Sequence, residues 1–494
     1  MGVEKDFTEA AKWFRLAAGQ GDAEAQCNLA TCYYLGDGVE KDMVEAVKWL
    51  RLAADQGFSG AQFELGLCYH TGKGVGKDAT EAVKWFRMAA GQNYPEAQSY
   101  LGLCYEKGTG VDQDAAEAVK WFRRAAEQGH AEAQFKLGGC YYRGDGVAKD
   151  VAESIRWQRK AAAQGHAGAQ SNLGVCYLNG EGVTQDHAEA LKWYRMAAAQ
   201  GDAGGQYNLG VCYANGTGVA KDPAEAMKWY RMSADQGYAA AQIKLGDCYY
   251  NGKGVAKDAT AAVKWTRLAA EQDLAAAQAA LGFCYSKGEG VVKDDVAAVK
   301  WLRKAAEQGL PNAQFKLANC YYNGMGVEKD AAQAVMWYRK AAEQGHADAQ
   351  CNLGTCYSKG DGITKDPAEA VKWLRKAAGQ GYAGAQYNLG VCYAQGVGVE
   401  RDYVEAVKWL SKAAVQGDDN AQFALGQCYA KGVGVAKDPL DAYAWYHLSA
   451  KTNATAAKCL DDLKNSMSPQ QLEAAQKRIG ELQALIDAGG KGNK

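Results

Sequence analysis

Tryptophan returns every 36 residues along the chain, at Trp13, Trp49, Trp85, Trp121, Trp157, Trp193, Trp229, Trp265, Trp301, Trp337, Trp373, Trp409 and Trp445, with no insertion between any two. A fixed period of this length is the signature of a stack of small units, because one such unit cannot bury its apolar face alone. Twelve of the 15 cysteines keep the same step, from Cys32 to Cys428, and a tyrosine follows each, from Tyr33 to Tyr429. The 494 residues exceed what one hydrophobic core usually serves, and the period replaces conventional globular domains as the organising principle.

The segment Gly129 to Gly165 shows the local physics. Ala131 to Tyr142 is rich in Ala, Leu and Gln, with Leu137 and Tyr141 four apart, and predicts a short first helix. Gly144-Asp145-Gly146 breaks it. Asp150, with Glu153 three residues on, is the aspartate form of a capping box and predicts a second helix over 151–164. An aspartate stands seven residues before every tryptophan, from Asp6 to Asp438, where it complements the positive end of a helix. Eight residues after tryptophan comes Gly, or else Asn93, Asp273 or Asn453, the types that best tolerate a left-handed helix C′ position. The small residue after each leucine, such as Gly102, Gly138, Gly174, Ala30 or Ala318, predicts close approach of neighbouring backbones.

These units divide the chain into an array over 1–457, about 12 full repeats after a partial first one, followed by an atypical end. There Lys458, Asp461 and Asp462 displace the Gln, Leu and Gly of the pattern, and Ser468-Pro469 with Gln471 opens a polar helix. Residues 458–488 are thus expected to form a C-terminal helical cap, and 489–494 a flexible tail.

The shared pattern A-x-A-Q-x-x-L-G-x-C-Y-x-x-G-x-G-V-x-K-D-x-x-E-A-V-K-W-x-R-x-A-A-x-Q-G resembles the Sel1-like repeat, a relative of the tetratricopeptide repeat, over residues 3–457. The resemblance implies an all-α fold, an α-solenoid superhelix of tandem 36-residue antiparallel helix pairs. It also implies a non-catalytic adaptor that binds a protein or peptide in a concave groove lined by the first helices. Some cysteine-rich relatives are described as β-lactamase-like or cell-wall-associated, which sets an enzymatic alternative beside the scaffold. This chain has one ladder cysteine per repeat and no S-x-x-K motif. The uniformity of the repeats keeps a third reading open, a consensus-like or designed solenoid with no natural ligand.

Several function classes lose support from composition. Lys plus Arg (56) balances Asp plus Glu (57), which gives no basis for nucleic acid or an acidic membrane as partner. No apolar run reaches the ~20 residues of a bilayer span, and Met1-Gly-Val-Glu-Lys-Asp6 has no secretory pattern. Successive ladder cysteines, one repeat apart, fall roughly 10 Å from each other, beyond disulfide reach, and no histidine accompanies them as a metal ligand. They read as small buried core groups, and a dozen unpaired thiols point to a reducing, cytoplasmic compartment. The loop G-x-G-V-x-K-D superficially resembles a phosphate-binding loop, but it joins two helices and an aspartate already occupies the helix start. His130, His166 and His346 share a slot with Phe58, Tyr94, Leu310 and Tyr382, which suits an apolar contact beside the glycine cap. No cofactor or metal is expected, and the chain is expected to be a monomer.

The informative positions vary while their neighbours stay fixed. The residue after the repeated glutamine runs Phe63, Phe135, Tyr207, Ile243, Phe315, Tyr387 and Phe423 among others. Four residues on stands Phe283 in its repeat, then at seven and eight come Tyr34, His70, Tyr142, Tyr250 and Tyr322, with Arg143 beside Tyr142. The spacing i, i+4, i+7, i+8 places these residues on one helix face. By the resemblance that face lines the groove, with Phe135/Tyr142, Ile243/Tyr250 and Phe315/Tyr322 as apolar anchors in a polar surround. The other reading is that the first ring of each pair fills the core between repeats. The carboxylate clamp of chaperone-binding relatives is missing, since no lysine follows the glutamine.

Overall fold

The computed structural model describes residues 6–489, so residues 490–494 of the expected tail and the first five residues of the array lie outside the described residues. The described residues form 27 α-helices and no strand. Short first helices alternate with short second helices, and consecutive helices pack together from Phe7–Gly19 to Pro223–Asp235 and again from Ala259–Glu271 to Ala454–Lys464. The chain divides into two compact units, Met1–Lys244 with Lys253–Ala256, and Leu245–Gly252 with Lys257–Lys494. Tandem helix pairs build each of them.

Local chemistry sets the helix bounds. In the repeat singled out above, the first helix is Ala131–Arg143 and the second Val151–Ala163. Asp150 has extended backbone (φ −144°, ψ 102°), and its carboxylate accepts the Glu153 N–H at 3.0 Å. Equivalent aspartates from Asp6 to Asp438 cap the start of every second helix in the same way. Between the two helices Gly144 and Gly146 both take the left-handed region, at φ 82° and 68°. A Cβ on Gly146 would lie 2.1 Å from the Ala115 carbonyl oxygen, so only glycine lets this loop rest on the preceding repeat. That contact locks each repeat onto the one before it.

The slot eight residues after tryptophan is left-handed as expected, including Asn93 (φ 62°) and Asp273 (φ 61°). Asn453 departs from this expectation. Its φ is −114°, and it is the N-cap of helix Ala454–Lys464, accepting the N–H groups of Thr455 and Ala456. The preceding helix, Pro439–Ser449, stops early at Ala450, so the slot begins a helix instead of ending one.

The small residue after leucine lets backbones approach as expected, a Cβ on Gly354 falling 3.1 Å from the Ala370 carbonyl oxygen, and it serves a second purpose as well. A Cβ on Gly174 would meet the Tyr194 ring at 2.4 Å, and one on Gly102 the Phe122 ring at 2.6 Å. The glycine makes room for the side chain that follows tryptophan on the second helix, which is then fully buried: Tyr194, Phe86 and Phe122 each have 0 % exposure. Burying one such ring contributes roughly 1.5–3 kcal/mol.

Two polar ladders accompany the apolar core. The glutamine of the first helix is buried, and its amide donates to an alanine carbonyl of the preceding second helix, as Gln134 Nε2 does to Ala126 O at 3.0 Å. Its oxygen accepts from the glutamine that ends the next second helix, as Gln134 Oε1 does from Gln164 Nε2 at 2.8 Å. The same link, 30 residues long, joins Gln56 to Gln26, Gln92 to Gln62 and Gln416 to Gln386. The arginine two residues after tryptophan donates to the tyrosine after cysteine, for example Arg123 to Tyr141 at 2.7 Å and Arg375 to Tyr393 at 2.8 Å. The glutamine ladder satisfies groups that would otherwise be buried without partners, whereas these two arginine–tyrosine bonds lie at the surface.

At the chain end, helix Pro469–Gly489 starts with the expected capping box, Ser468 N–H to Gln471 Oε1 at 2.9 Å and Gln471 N–H to Ser468 Oγ at 3.3 Å. It lies against Pro439–Ser449, burying Ala475 and Leu482, with Arg478 Nε donating to Asp441 Oδ1 at 2.6 Å.

A candidate binding face on the first helices

The positions that vary between repeats fall into two groups. Residues following the glutamine sit at the junction with the next repeat. Phe135 stacks on His166 at 4.5 Å between ring centroids, Phe315 on His346 at 4.7 Å, and Tyr207 lies 5.5 Å from Tyr238. Phe63, at 7 % exposure, is enclosed by Phe86, Tyr94 and Tyr100. Phe63 is therefore a core residue and not a contact residue. Phe135, Tyr207, Phe315, Tyr387 and Phe423 are half-buried in the same slot and serve chiefly as packing between repeats, and Ile243 is half-buried there too.

The histidines explain this placement and correct their own reading. They are N-caps of first helices: the Nδ1 atoms of His130, His166 and His346 accept the N–H groups of Ala133, Ala169 and Ala349 at 3.2, 3.1 and 3.3 Å. An acceptor that is also a flat ring can cap a helix and pack on an aromatic at once. Burial pushes the His130 and His346 imidazoles below their ordinary value, which keeps them neutral as the cap requires.

The second group is open to solvent. Tyr142 is 41 % exposed, and Tyr34, His70, Tyr250, Phe283 and Tyr322 are half-buried. Their hydroxyls bond to the loop of the following repeat, 39 residues on: Tyr142 donates to Glu181 at 2.7 Å, Tyr322 to Asp361 at 3.1 Å, and Tyr250 to Glu289. Tyr34 accepts from Lys73 at 3.0 Å. A lysine lies over several of these rings, Lys149 at 5.5 Å from Tyr142 and Lys257 at 5.4 Å from Tyr250. Arg143 is exposed and paired with Asp145, with Glu106 at 3.9 Å. His70 lies 6.4 Å from Phe86, and Lys316 is 5.9 Å over Phe283.

Between successive first helices this face carries recesses. One of about 320 Å³ is lined by Gly139, Tyr142, Arg143, Asn172 and Glu181 with Ser154 and Gln158 of the second helix. Others, of about 340 and 240 Å³, lie around Phe283 and Lys316, and around Tyr322 and Asn352. Ser154 and Gln158 were not foreseen. Their signal was present in the sequence, since the other twelve copies of the Ser154 slot hold alanine and the slot of Gln158 holds an aromatic ring or leucine in every other copy but Thr266.

All 15 cysteines are free thiols, and burial pushes Cys68, Cys104, Cys140, Cys212 and Cys356 up to about 11, which makes them poor nucleophiles. Among the described residues no group of His, Cys, Asp or Glu could hold a metal ion, and no helix is long and apolar enough to cross a membrane.

Tandem helix pairs with a variable first-helix face define a repeat scaffold, a class that generally mediates protein–protein interaction. The Sel1 repeat model matches residues 1–22, then each 36-residue segment from 23–58 to 383–418, and finally 419–451. The chain belongs to the Sel1 repeat family. Among solved structures it is similar to c5321, a protective antigen of uropathogenic Escherichia coli strains displaying an SLR fold. The two are 36% identical, the match covers 97% of this chain and 96% of that one, and the TM-score is 0.55. A Sel1 repeat protein from Oxalobacter formigenes is 38% identical over 63% of this chain and 90% of its own, with a TM-score of 0.49. No curated protein matches the chain in sequence.

Proposed function

We propose that this chain is a non-catalytic scaffold whose first-helix face holds an extended peptide or the surface of a protein partner. The observation that carries the reading is the corresponding face of each unit, with Tyr34, His70, Tyr142 and Arg143 in one and Tyr250, Phe283 and Tyr322 in the other. Rings are exposed or half-buried there beside charged loop residues, at the slots where otherwise uniform repeats differ from one another. Aromatic rings that lose little conformational freedom on binding suit this role, and their fixed hydroxyls hold them in place beforehand. Balanced charge favours a protein ligand over nucleic acid. Free, buried thiols support a reducing, cytoplasmic setting, and the scaffold would act as a monomer.

The test is selection of displayed peptides on the full chain, followed by re-binding to a Tyr142→Ser, Tyr250→Ser, Tyr322→Ser variant. A Lys84→Ser, Lys120→Ser variant on the second helices serves as control. Peptides retained by the control and lost by the tyrosine variant support the face, provided circular dichroism shows both variants helical. Equal binding to all three proteins overturns it.

A further inference from the structure

The repeat built from Ala131–Arg143 and Val151–Ala163 breaks the array's own rules three times, and all three breaks line one recess. Gly139 stands where other repeats carry a side chain, such as Val175, Val211, Phe283 or Asn319. Ser154 is the one serine in a slot otherwise filled by alanine, and Gln158 is the one amide in a slot that elsewhere holds an aromatic ring, leucine or Thr266. Ser154 and Gln158 are each 3 % exposed. The Gln158 Nε2 donates to the Phe135 carbonyl at 3.3 Å, which fixes the amide orientation and leaves Oε1 a buried acceptor without a protein partner. A buried acceptor left without a donor weakens the fold unless something outside the chain supplies one. Places where a regular protein breaks its local rules without a compensating contact are where function is sought.

The wall chemistry selects the ligand. Gln158 Oε1 needs a donor, Asn172 offers an amide, and the Glu181 carboxylate sits at the rim, held by the Tyr142 hydroxyl at 2.7 Å and Asn179 Nδ2 at 3.3 Å. Positive groups nearby are already engaged: Arg143 pairs with Asp145, Lys136 with Glu106 at 3.7 Å, and Lys149 lies over the Tyr142 ring. Val175, Cys176 and Gly139 supply an apolar passage. At about 320 Å³ the recess is the size of a small ligand site.

We propose that this recess takes the side chain of a lysine from an extended peptide, its aliphatic stem against Val175 and Gly139 and its ammonium shared by Glu181 and Gln158. This deepens the scaffold reading, on which the peptide source rests, but the recess can be probed without any partner. Saturation-transfer NMR on the full chain would compare Nα-acetyl-lysine methylamide with the norleucine and glutamate analogues and with 1,5-diaminopentane. The lysine probe should bind about tenfold more tightly than the norleucine analogue. It should lose that advantage in a Gly139→Val, Ser154→Ala, Gln158→Leu variant, whose residues are ones other repeats carry and which should melt no lower than the parent. Glu181→Gln, which keeps an acceptor for Tyr142, should also weaken it. Equal binding of norleucine or glutamate, or full lysine binding by the triple variant, overturns the proposal. Binding of diaminopentane alone overturns the peptide source. Selected peptides that survive the triple variant but not the tyrosine variant would sink the recess and leave the scaffold reading standing.

Discussion

The repeats that begin at Ala131 and Pro311 share a first-helix pattern, F-K-L-x-x-C-Y-Y, and differ in what lies beneath it. In both a phenylalanine stacks on a capping histidine, at 4.5 and 4.7 Å, and a tyrosine is tied to an acidic loop residue. Below the second of them Tyr338 donates its hydroxyl to Asn319 Oδ1 at 2.6 Å, so the polar atom under the face arrives with its partner. Below the first, the slot of Tyr338 holds Gln158 and the slot of Asn319 holds Gly139, and the glutamine acceptor has no protein partner. A polar group placed under a helix is neutral for the fold when its partner is placed with it. Where the partner's slot holds glycine, the same type of substitution leaves a binding demand that something outside the chain can meet.

The contrast should break first at what the two repeats have in common. Trp157 and Trp337 are each 6 % exposed, and replacing either with alanine should cost about 3–5 kcal/mol, read by urea unfolding. A loss below about 1 kcal/mol at one of them would show that the repeats do not share a core. Next comes a difference of sign. Tyr338→Phe removes a satisfied bond and should cost about 1 kcal/mol, whereas Gln158→Leu removes an unsatisfied acceptor and should gain about 1 kcal/mol. Loss of stability in both would dissolve the comparison.

A smaller effect concerns the caps. His166 Nε2 meets the Glu132 carboxylate at 2.9 Å, while His346 Nε2 meets the Asn312 amide oxygen at 2.9 Å, with Asp348 and Lys316 the charged groups around it. Burial holds His346 below its ordinary value of 6.5. The unfolded chain therefore binds the proton first, and this cap's contribution is whole above that value and declines as pH falls through it toward the folded pKa. An NMR titration should find His346 still neutral where a free imidazole is half charged. Asn312→Asp, which supplies a carboxylate like that beside His166, should move the midpoint upward. Smallest of all, Tyr142→Phe and Tyr322→Phe should each cost under about 1 kcal/mol in the same urea assay, because the first tie is solvent-exposed and the second only part-buried.

Features that depend on a few consecutive residues were legible in the sequence. The aspartate caps, the paired glycines and the period each follow from backbone chemistry within one turn or loop. Asn453 misled because a left-handed slot and an N-cap favour the same residue, and only the early end of helix Pro439–Ser449 separates them. The capping histidines were read as apolar contacts for a related reason, since an imidazole does both. Phe63 was placed on the face because spacing reports the side of a helix and not what the next repeat lays over it. Gln158 escapes the spacing argument for a simpler reason. The i, i+4, i+7, i+8 face belongs to the first helix, while the recess is completed from the second.

Within each unit the glutamine ladder gives one junction after another the same chemistry, an acceptor waiting for a donor 30 residues further along the chain. At the last repeat Thr452 stands where that donor would be, and Gln422 Oε1 has no protein partner. Loss or insertion of one whole 36-residue block anywhere before that point would join an acceptor to a donor identical to the one replaced. Repeat number can therefore change in whole blocks without a new kind of junction, and the reach of the proposed binding face would lengthen or shorten with it.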